Sequence, residues 1–431
     1  MTASAIREDE LVSAAARAQR QLELLQATLN RAVKSVRLYQ EKLAVEGREP
    51  GRVKSLEDLA KLPFTRREDF SEHYPYGMFA APLRDIVRIH TAPGTGLAPT
   101  VTGYTRNDLF TWREILSRAL HAAGVNETDV FQICFDSGLA NWGRDYKDGA
   151  EDLGASVIPL TSLSLEKQRM VLSDYRTTVL VTSPSLADKL AAKLASAGAA
   201  NASLALKTLI LAGEPVSARM RENLENAFSA TAWVHYGLSE APGPAVAFEC
   251  HAHEGLHVSE DHFYPEIVDP ETGRPLEAGK PGELVLTTLT ARAFPLIRFR
   301  TGDRAKFITE TCPCGRTFRR ISWLFERTDD ARLIRGVKVS ESQIMAHAKK
   351  ALGHEPSDYR LRPGNRDEPF GLELSIPVDD SLFSDEIKVL ERHAKSLEAA
   401  LNQELGIPVK VRLTERMALS GATGRWINEN A

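Results

Sequence analysis

The chain of 431 residues carries 54 Lys and Arg against 58 Asp and Glu, a formal net charge of -4 with both signs mixed along its length. That balance gives no electrostatic case for nucleic acid or an anionic membrane surface, and the length predicts a soluble protein of more than one domain. No apolar run reaches the roughly 18 residues that suggest a membrane span. The opening residues include Glu8, Asp9 and Glu10 and lack a basic apolar leader, so a cytoplasmic location is expected. Of four cysteines two form a Cys-Pro-Cys pair, which reads as a reduced metal-ligand set rather than a disulfide scaffold.

From Glu10 to about Glu46 apolar residues recur every three or four positions, predicting one N-terminal helical cover. Ser55 with Asp58 predicts a short helix ending near Lys61, and Thr65 caps a segment running to Tyr74. Ile86, Val87 and Ile89 form a strand-like run that enters a Gly-, Pro- and Thr-rich loop containing Thr91, Gly94 and Thr95. Such a loop is either a structural turn or a backbone cradle for phosphate, and it lacks the Gly-Lys-Ser/Thr ending of a P-loop.

Helices and short strands then alternate: helix Asn107 to Ala123, strand Val130 to Phe135, helix Asp148 to Leu153, strand Ser156 to Leu160, helix Leu165 to Asp174, strand Thr178 to Thr182, helix Ser185 to Ala195 and strand Leu206 to Leu211. This is α/β organisation with a parallel sheet. Asp136, Trp142 and Arg144 fall in an expected loop after a strand, where open α/β sheets bind ligands; they read as a pocket wall with a polar edge or as packing. Gly213, Glu214 and Pro215 end one strand, and Tyr236 with Gly237 ends the next, placing Glu240 on the following turn.

A β-rich stretch follows, with strands expected at Glu266 to Val268, Gly282 to Thr287 and Phe294 to Phe299. Cys250, His257, Cys312 and Cys314 supply three sulfurs and one imidazole, a set suited to tetrahedral zinc, with His251 and His253 as alternative ligands. After Arg327 the pattern changes to a compact α/β tail whose longest helix is expected over Ser384 to Leu405.

The stretches HYGLSE (235–240), LHVSEDHFYPEIVDPETG (256–273), GELVLTTLT (282–290) and PLIRFRTGD (295–303) together resemble the adenylate-forming superfamily, and more closely the phenylacetate–CoA ligase family. The resemblance runs over nearly the whole chain. It implies the adenylate-forming ligase fold, with a large multi-subdomain N-terminal domain over 1–327 and a mobile small α/β C-terminal domain over 328–431. It implies activation of a small, aromatic carboxylic acid by ATP and Mg²⁺ to an acyl adenylate, followed by transfer to CoA or another acceptor. By position, Gly213 to Pro215 and Tyr236 to Gly237 would flank adenine, Glu240 would hold magnesium, and Asp303 would accept the ribose hydroxyls. Arg327 would contact the nucleotide and Asp329 would sit at the hinge. Related members hold zinc at positions matching Cys250, His257, Cys312 and Cys314, and a homodimer is expected on the same ground.

Two positions depart from the family pattern. A lysine is expected in the phosphate loop and another in a final loop; here they are Ala98 and Ala422. Neither alanine can offset charge developing during phosphoryl displacement. The departures leave two readings: a divergent ligase, with Arg425 as a compensating cation, or a ligase-like protein for acyl transfer, condensation or binding that no longer adenylates efficiently.

Overall fold

The computed structural model describes residues 6–44, 50–92, 98–135, 139–158, 164–196, 204–241, 243–356, 358–363, 371–378, 387–414 and 426. Two compact units divide after Asp329. In the larger, helices α1 (Ala14–Ser35), α2 (Arg37–Leu43) and α3 (Arg67–Glu72) precede the hairpin β1 (Arg88–Ala92) and β2 (Thr100–Tyr104). Then come α4 (Arg106–Ala122), β3 (Val130–Cys134), α5 (Ala140–Asp152), β4 (Ser156–Ile158), α6 (Leu165–Asp174), β5 (Val179–Thr182), α7 (Pro184–Ser196), β6 (Thr208–Ala212), α8 (Ala218–Phe228) and β7 (Thr231–Tyr236). The unit closes with β8 (Ala247–Phe248), β9 (Leu256–Val258), β10 (Phe263–Val268), β11 (Gly282–Thr288), β12 (Phe299–Ile308) and β13 (Arg320–Arg327).

Among the described residues eleven strands form one sheet in the order β10-β11-β12-β13-β9-β8-β7-β6-β5-β3-β4. From β4 to β7 the pairing is parallel, and from β7 to β10 it is antiparallel. The alternating αβ pattern dictates the first half, because each helix carries the chain back across the sheet. Side chains alternate between two layers: Val179, Val181, Ile210 and Ala212 join the core under α4 and α5, while Leu180, Leu209 and Leu211 join the one under α7 and α8. Strand β7 is therefore the seam where parallel order stops, and its C-terminal end opens the kind of crevice in which α/β sheets hold ligands.

Several elements differ from the sequence expectation. The N-terminal cover is broken at Val36, whose extended backbone separates α1 from α2. Helix α5 starts at Ala140, so Trp142 and Arg144 lie on a helix rather than a loop; Leu139, Trp142, Tyr146 and Ala150 give it a buried stripe at helical spacing. The segment at 294–298 is not a strand: Arg298 takes a positive φ of 47° and the strand begins at Phe299. Arg298 is 2% exposed and spends its donors on Glu266 and the carbonyls of Ala60 and Leu62, which fixes that bend.

The smaller unit contains the hairpin β14 (Arg332–Ile334) and β15 (Val337–Val339), α9 (Glu341–Leu352), β16 (Arg360–Pro363), β17 (Leu372–Pro377), α10 (Ile387–Leu405) and β18 (Val409–Thr414). Arg335 and Gly336 both have positive φ, as a two-residue hairpin turn requires. Leu361, Leu374, Ile344 and Leu401 share its own core. No helix among the described residues is long and apolar enough to cross a membrane.

Candidate active site

Tyr236 ends β7 with its hydroxyl donating to Asp303 Oδ2 at 2.7 Å and its ring edge-on to Trp323 at 4.8 Å. Burial, reinforced by the Asp303 charge, pushes the phenol's pKa well above its ordinary value, so it remains a donor. The other Asp303 oxygen is ion-paired with Arg327, which also grips Asp329 in a fork, Nε to Oδ1 at 2.7 Å and Nη2 to Oδ2 at 2.6 Å. Burial works against the Arg327 charge, but Asp303 and Asp329 outweigh it and raise its pKa.

Arg67 completes this arrangement, and nothing in the sequence pattern singled it out. Thr65 pairs its backbone with Arg298 and Arg300, which sets the start of α3 beside β12. There the Asp69 carboxylate caps the backbone N–H of Arg66 at 2.7 Å, leaving Arg67 in the first turn facing the β7 turn. Its Nε donates to Glu240 Oε1 at 2.6 Å, Nη1 to Asp329 Oδ2 at 2.9 Å and Nη2 to the Thr301 carbonyl at 2.9 Å. Arg327 Nη2 donates to the same carbonyl at 3.0 Å. Glu240, Asp329 and Asp303 are thus strung together by two arginines over one backbone oxygen.

Gly302 permits this. Its φ is +73°, and a Cβ there would overlap both Asp329 and the Arg327 guanidinium. Gly302→Ala is therefore expected to lower stability by about 2 kcal/mol or more through strain at a left-handed position and displacement of the ion pairs. A shift in the urea unfolding midpoint checks this, and an unchanged midpoint counts against the close packing described.

Gly213 turns the chain after β6 with φ +94°, and the Glu214 carboxylate accepts from Ser185 N and Oγ at 2.9 Å in the first turn of α7. Gly237 lies against the Gly243 carbonyl, leaving no room for a side chain. Thr91 is exposed at the end of β1. Gly94, Thr95, Asp136, Ala422 and Arg425 lie outside the described residues. Trp142 is 4% exposed and packs edge-on to Phe135 at 6.4 Å. Arg144, expected at the pocket edge, is exposed on α5.

The cysteine cluster is built on β9 and its neighbouring turns. Cys250, His257, Cys312 and Cys314 bring one ligand atom each within 4.8 Å of one another. Cys250 Sγ lies 3.5 Å from Cys312 Sγ, and Cys314 Sγ lies 3.4 Å from His257 Nε2. Sulfurs bound to one tetrahedral zinc at about 2.3 Å stand about 3.7 Å apart, so this spacing suits the ion. His257 Nδ1 faces the Phe318 carbonyl at 3.2 Å, which makes it the N–H donor and turns the Nε2 lone pair to the sulfurs. The hydrogen bond from the Cys250 thiol, aided by His257, holds the Cys314 pKa below the ordinary thiol value, the direction that suits a metal-ligating sulfur. His253 contacts Glu249 and the Trp233 ring instead, and His251 is exposed.

Residues 153–290 match the family described as AMP-binding enzyme. The chain is 40% identical over 361 residues to a phenylacetate–coenzyme A ligase of Pseudomonas putida, covering 83% of this chain and 82% of that one. It is 36% identical over 394 residues to the phenylacetate–coenzyme A ligase of Thermus thermophilus, covering 88% of each. The chain belongs to the phenylacetate–CoA ligase family. Its fold is that of a solved 2-hydroxyisobutyryl-CoA ligase in complex with 2-HIB-AMP and CoA, with a TM-score of 0.89 at 25% identity over 97% of this chain and 90% of that one.

As a member of the phenylacetate–CoA ligase family, the protein is an ATP-dependent, adenylate-forming acid–CoA ligase. In this ligase Asp303, Arg327 and Asp329 are already joined by hydrogen bonds, and Arg67 adds Glu240 to them. Arg67 has no sequence signature, since its meaning comes from a contact 173 residues away along the chain.

Proposed function

We propose that this ligase activates a small carboxylic acid, bounded by an aromatic wall of Phe135, Trp142 and Tyr146, and passes the acyl group to CoA. In the first step a carboxylate oxygen attacks the α-phosphorus of ATP, the bond to the β-phosphate oxygen breaks, and pyrophosphate leaves. In the second the CoA sulfur attacks the acyl carbon and AMP departs with the bridging oxygen. Asp303 accepts the ribose hydroxyls once Arg327 swings from it towards phosphate, a carboxylate being able to take both hydrogen bonds. Tyr236, Gly237 and the backbone at Gly213 to Pro215 flank the adenine. Glu240 would hold magnesium, which would supply positive charge to offset that of the phosphates.

The observation that carries this reading is the cluster at the β7 seam, where Glu240, Asp303, Asp329, Arg67 and Arg327 converge. With alanines at 98 and 422, Arg67 supplies the buried positive charge near the phosphates, where a rigid guanidinium fork suits developing negative charge. Cys250, His257, Cys312 and Cys314 would hold a structural zinc, which would brace the turn after Glu240. The unit beyond Asp329 pivots there between the two half-reactions, and a homodimer follows the family pattern.

The replaced lysines favour a second reading, in which nucleotide binds but adenylation has decayed. Acid-dependent exchange of labelled pyrophosphate into ATP separates the two. Exchange above the acid-free rate is expected; AMP binding without exchange across a panel of aliphatic and aryl acids would establish the second reading.

A further inference from the structure

The Thr301 carbonyl and the Asp303 carboxylate enter the candidate site from an irregular stretch of β12. Against β11, Val285 pairs with Arg300 and Glu283 with Arg304, so Thr301, Gly302 and Asp303 stand opposite Leu284 alone. Surplus residues on one strand make a bulge, a local bend that re-aims side chains beside a site. Thr301 ties this bulge to β11 and to itself: its Oγ1 donates to the Leu284 carbonyl at 2.7 Å and accepts from Asp303 N at 3.0 Å.

Glu283 supplies the other tie. It is 1% exposed, and no step of the proposed chemistry uses it. Oε1 accepts from Gly302 N at 3.1 Å, while Oε2 accepts from Arg300 Nε at 2.8 Å and is ion-paired with Arg300 Nη2. Arg300 also donates from Nη2 to the Pro270 carbonyl at 2.7 Å, and its backbone N–H donates to Thr65 O at 3.0 Å, where the chain enters α3. A carboxylate this deep is costly unless it is paired, and here it spends one oxygen on a single backbone amide. Gly302, with φ +73°, thus has its N–H held by Glu283, while its carbonyl accepts from Thr328 N at 2.8 Å. Asp303 follows directly, so any shift of Gly302 turns its carboxylate.

We propose that Glu283 is the positioning residue of the ribose site: by holding the Gly302 amide and the Arg300 side chain together, it fixes the bulge that aims Asp303 at the ribose hydroxyls. The inference rests on the proposed reading of Asp303 as the acceptor of those hydroxyls. Without Glu283 the bulge keeps only its Thr301 tie to β11, and Asp303 loses the fixed angle at which one carboxylate can accept two neighbouring hydroxyls.

Calorimetry on the full chain compares AMP with 2′,3′-dideoxy-AMP, which lacks the hydroxyls in question. The wild type is expected to bind AMP more tightly by about tenfold or more. E283M/R300M removes both charges together, so that no lone charge stays buried, and should bring the ratio towards one, chiefly through AMP. E283Q/R300M restores an acceptor for Gly302 N and should recover most of the preference. Thr301→Val cuts the other tie of the bulge with both charges in place; it should lower the ratio as well, and it stands in should E283M/R300M not fold, as read from the urea unfolding midpoint. A preference intact in the folded variants, equal losses for both nucleotides, or no recovery in E283Q/R300M overturns the proposal alone. A wild type with no affinity for AMP, or with no preference between the two nucleotides, overturns the nucleotide reading and the proposal together.

Discussion

Replacing Arg67 by methionine is expected to be among the most damaging single changes in the molecule. Its side chain is 10% exposed and lies against carboxylates that are themselves 8% and 30% exposed, Glu240 and Asp329. Burial opposes the Arg67 charge, yet Glu240 raises its pKa, so the guanidinium is charged and the pair is ionic. Removing one member of a buried pair leaves the other without compensation, a loss of about 3 kcal/mol or more. The urea midpoint of the larger unit checks that part. The proposed chemistry predicts a second loss, because the same cation lies beside Glu240 and both expected lysines are alanine. Pyrophosphate exchange should fall by about 100-fold or more, with Arg67→Lys recovering stability better than rate, since it restores a point charge without the fork. Exchange at the wild-type rate in a folded Arg67→Met protein would assign Arg67 to stability alone.

Cys312→Ser is expected to remove bound zinc and lower the melting temperature by several degrees. The chain segments that carry the ligands are tied to the N-terminal cover as well as to the sheet. Arg316 pairs with Glu10 at 2.5 Å with both side chains buried, and Arg17 donates to the Thr317 carbonyl at 2.8 Å. Loosening the Cys-Pro-Cys turn therefore loosens α1 against the sheet. Metal analysis of purified protein should return one zinc per chain for the wild type and much less for the variant, with the loss of stability mimicked by a chelator. Full zinc in the variant would reject the ligand set, and a wild type free of zinc with the same melting temperature would leave the cysteines as packing.

The parallel half of the sheet was legible because buried strands such as β6, with Leu209, Ile210, Leu211 and Ala212 in succession, carry apolar runs between amphipathic helices. Helix α5 was legible only in its last turns. Its first half, Asn-Trp-Gly-Arg-Asp, has the composition of a loop, and what makes it helical is tertiary burial of Trp142 and Tyr146. Strands β2 and β13 were missed for a related reason: Thr100–Tyr104 and Arg320–Arg327 are short or polar, and their pairing partners decide their structure. At the site, Asp303, Glu240 and Tyr236 sit in motifs with recognisable local chemistry. The contacts of Glu214 and Arg144 could not be read from spacing, since Ser185 takes the first in the α7 turn and helical rotation exposes the second. Arg67 lay hidden among adjacent charges, Arg66 to Asp69, any of which could have faced solvent.

The measurement that bears most directly on the nucleotide site is calorimetric titration of AMP into the intact, zinc-replete protein, beside the Asp303→Asn variant. The account predicts saturable binding to the wild type and a loss of about tenfold or more in affinity for the variant, where one carboxylate oxygen that accepted a ribose hydroxyl has become an amide. Absence of measurable affinity in the wild type, or equal affinity in the two proteins, would contradict it.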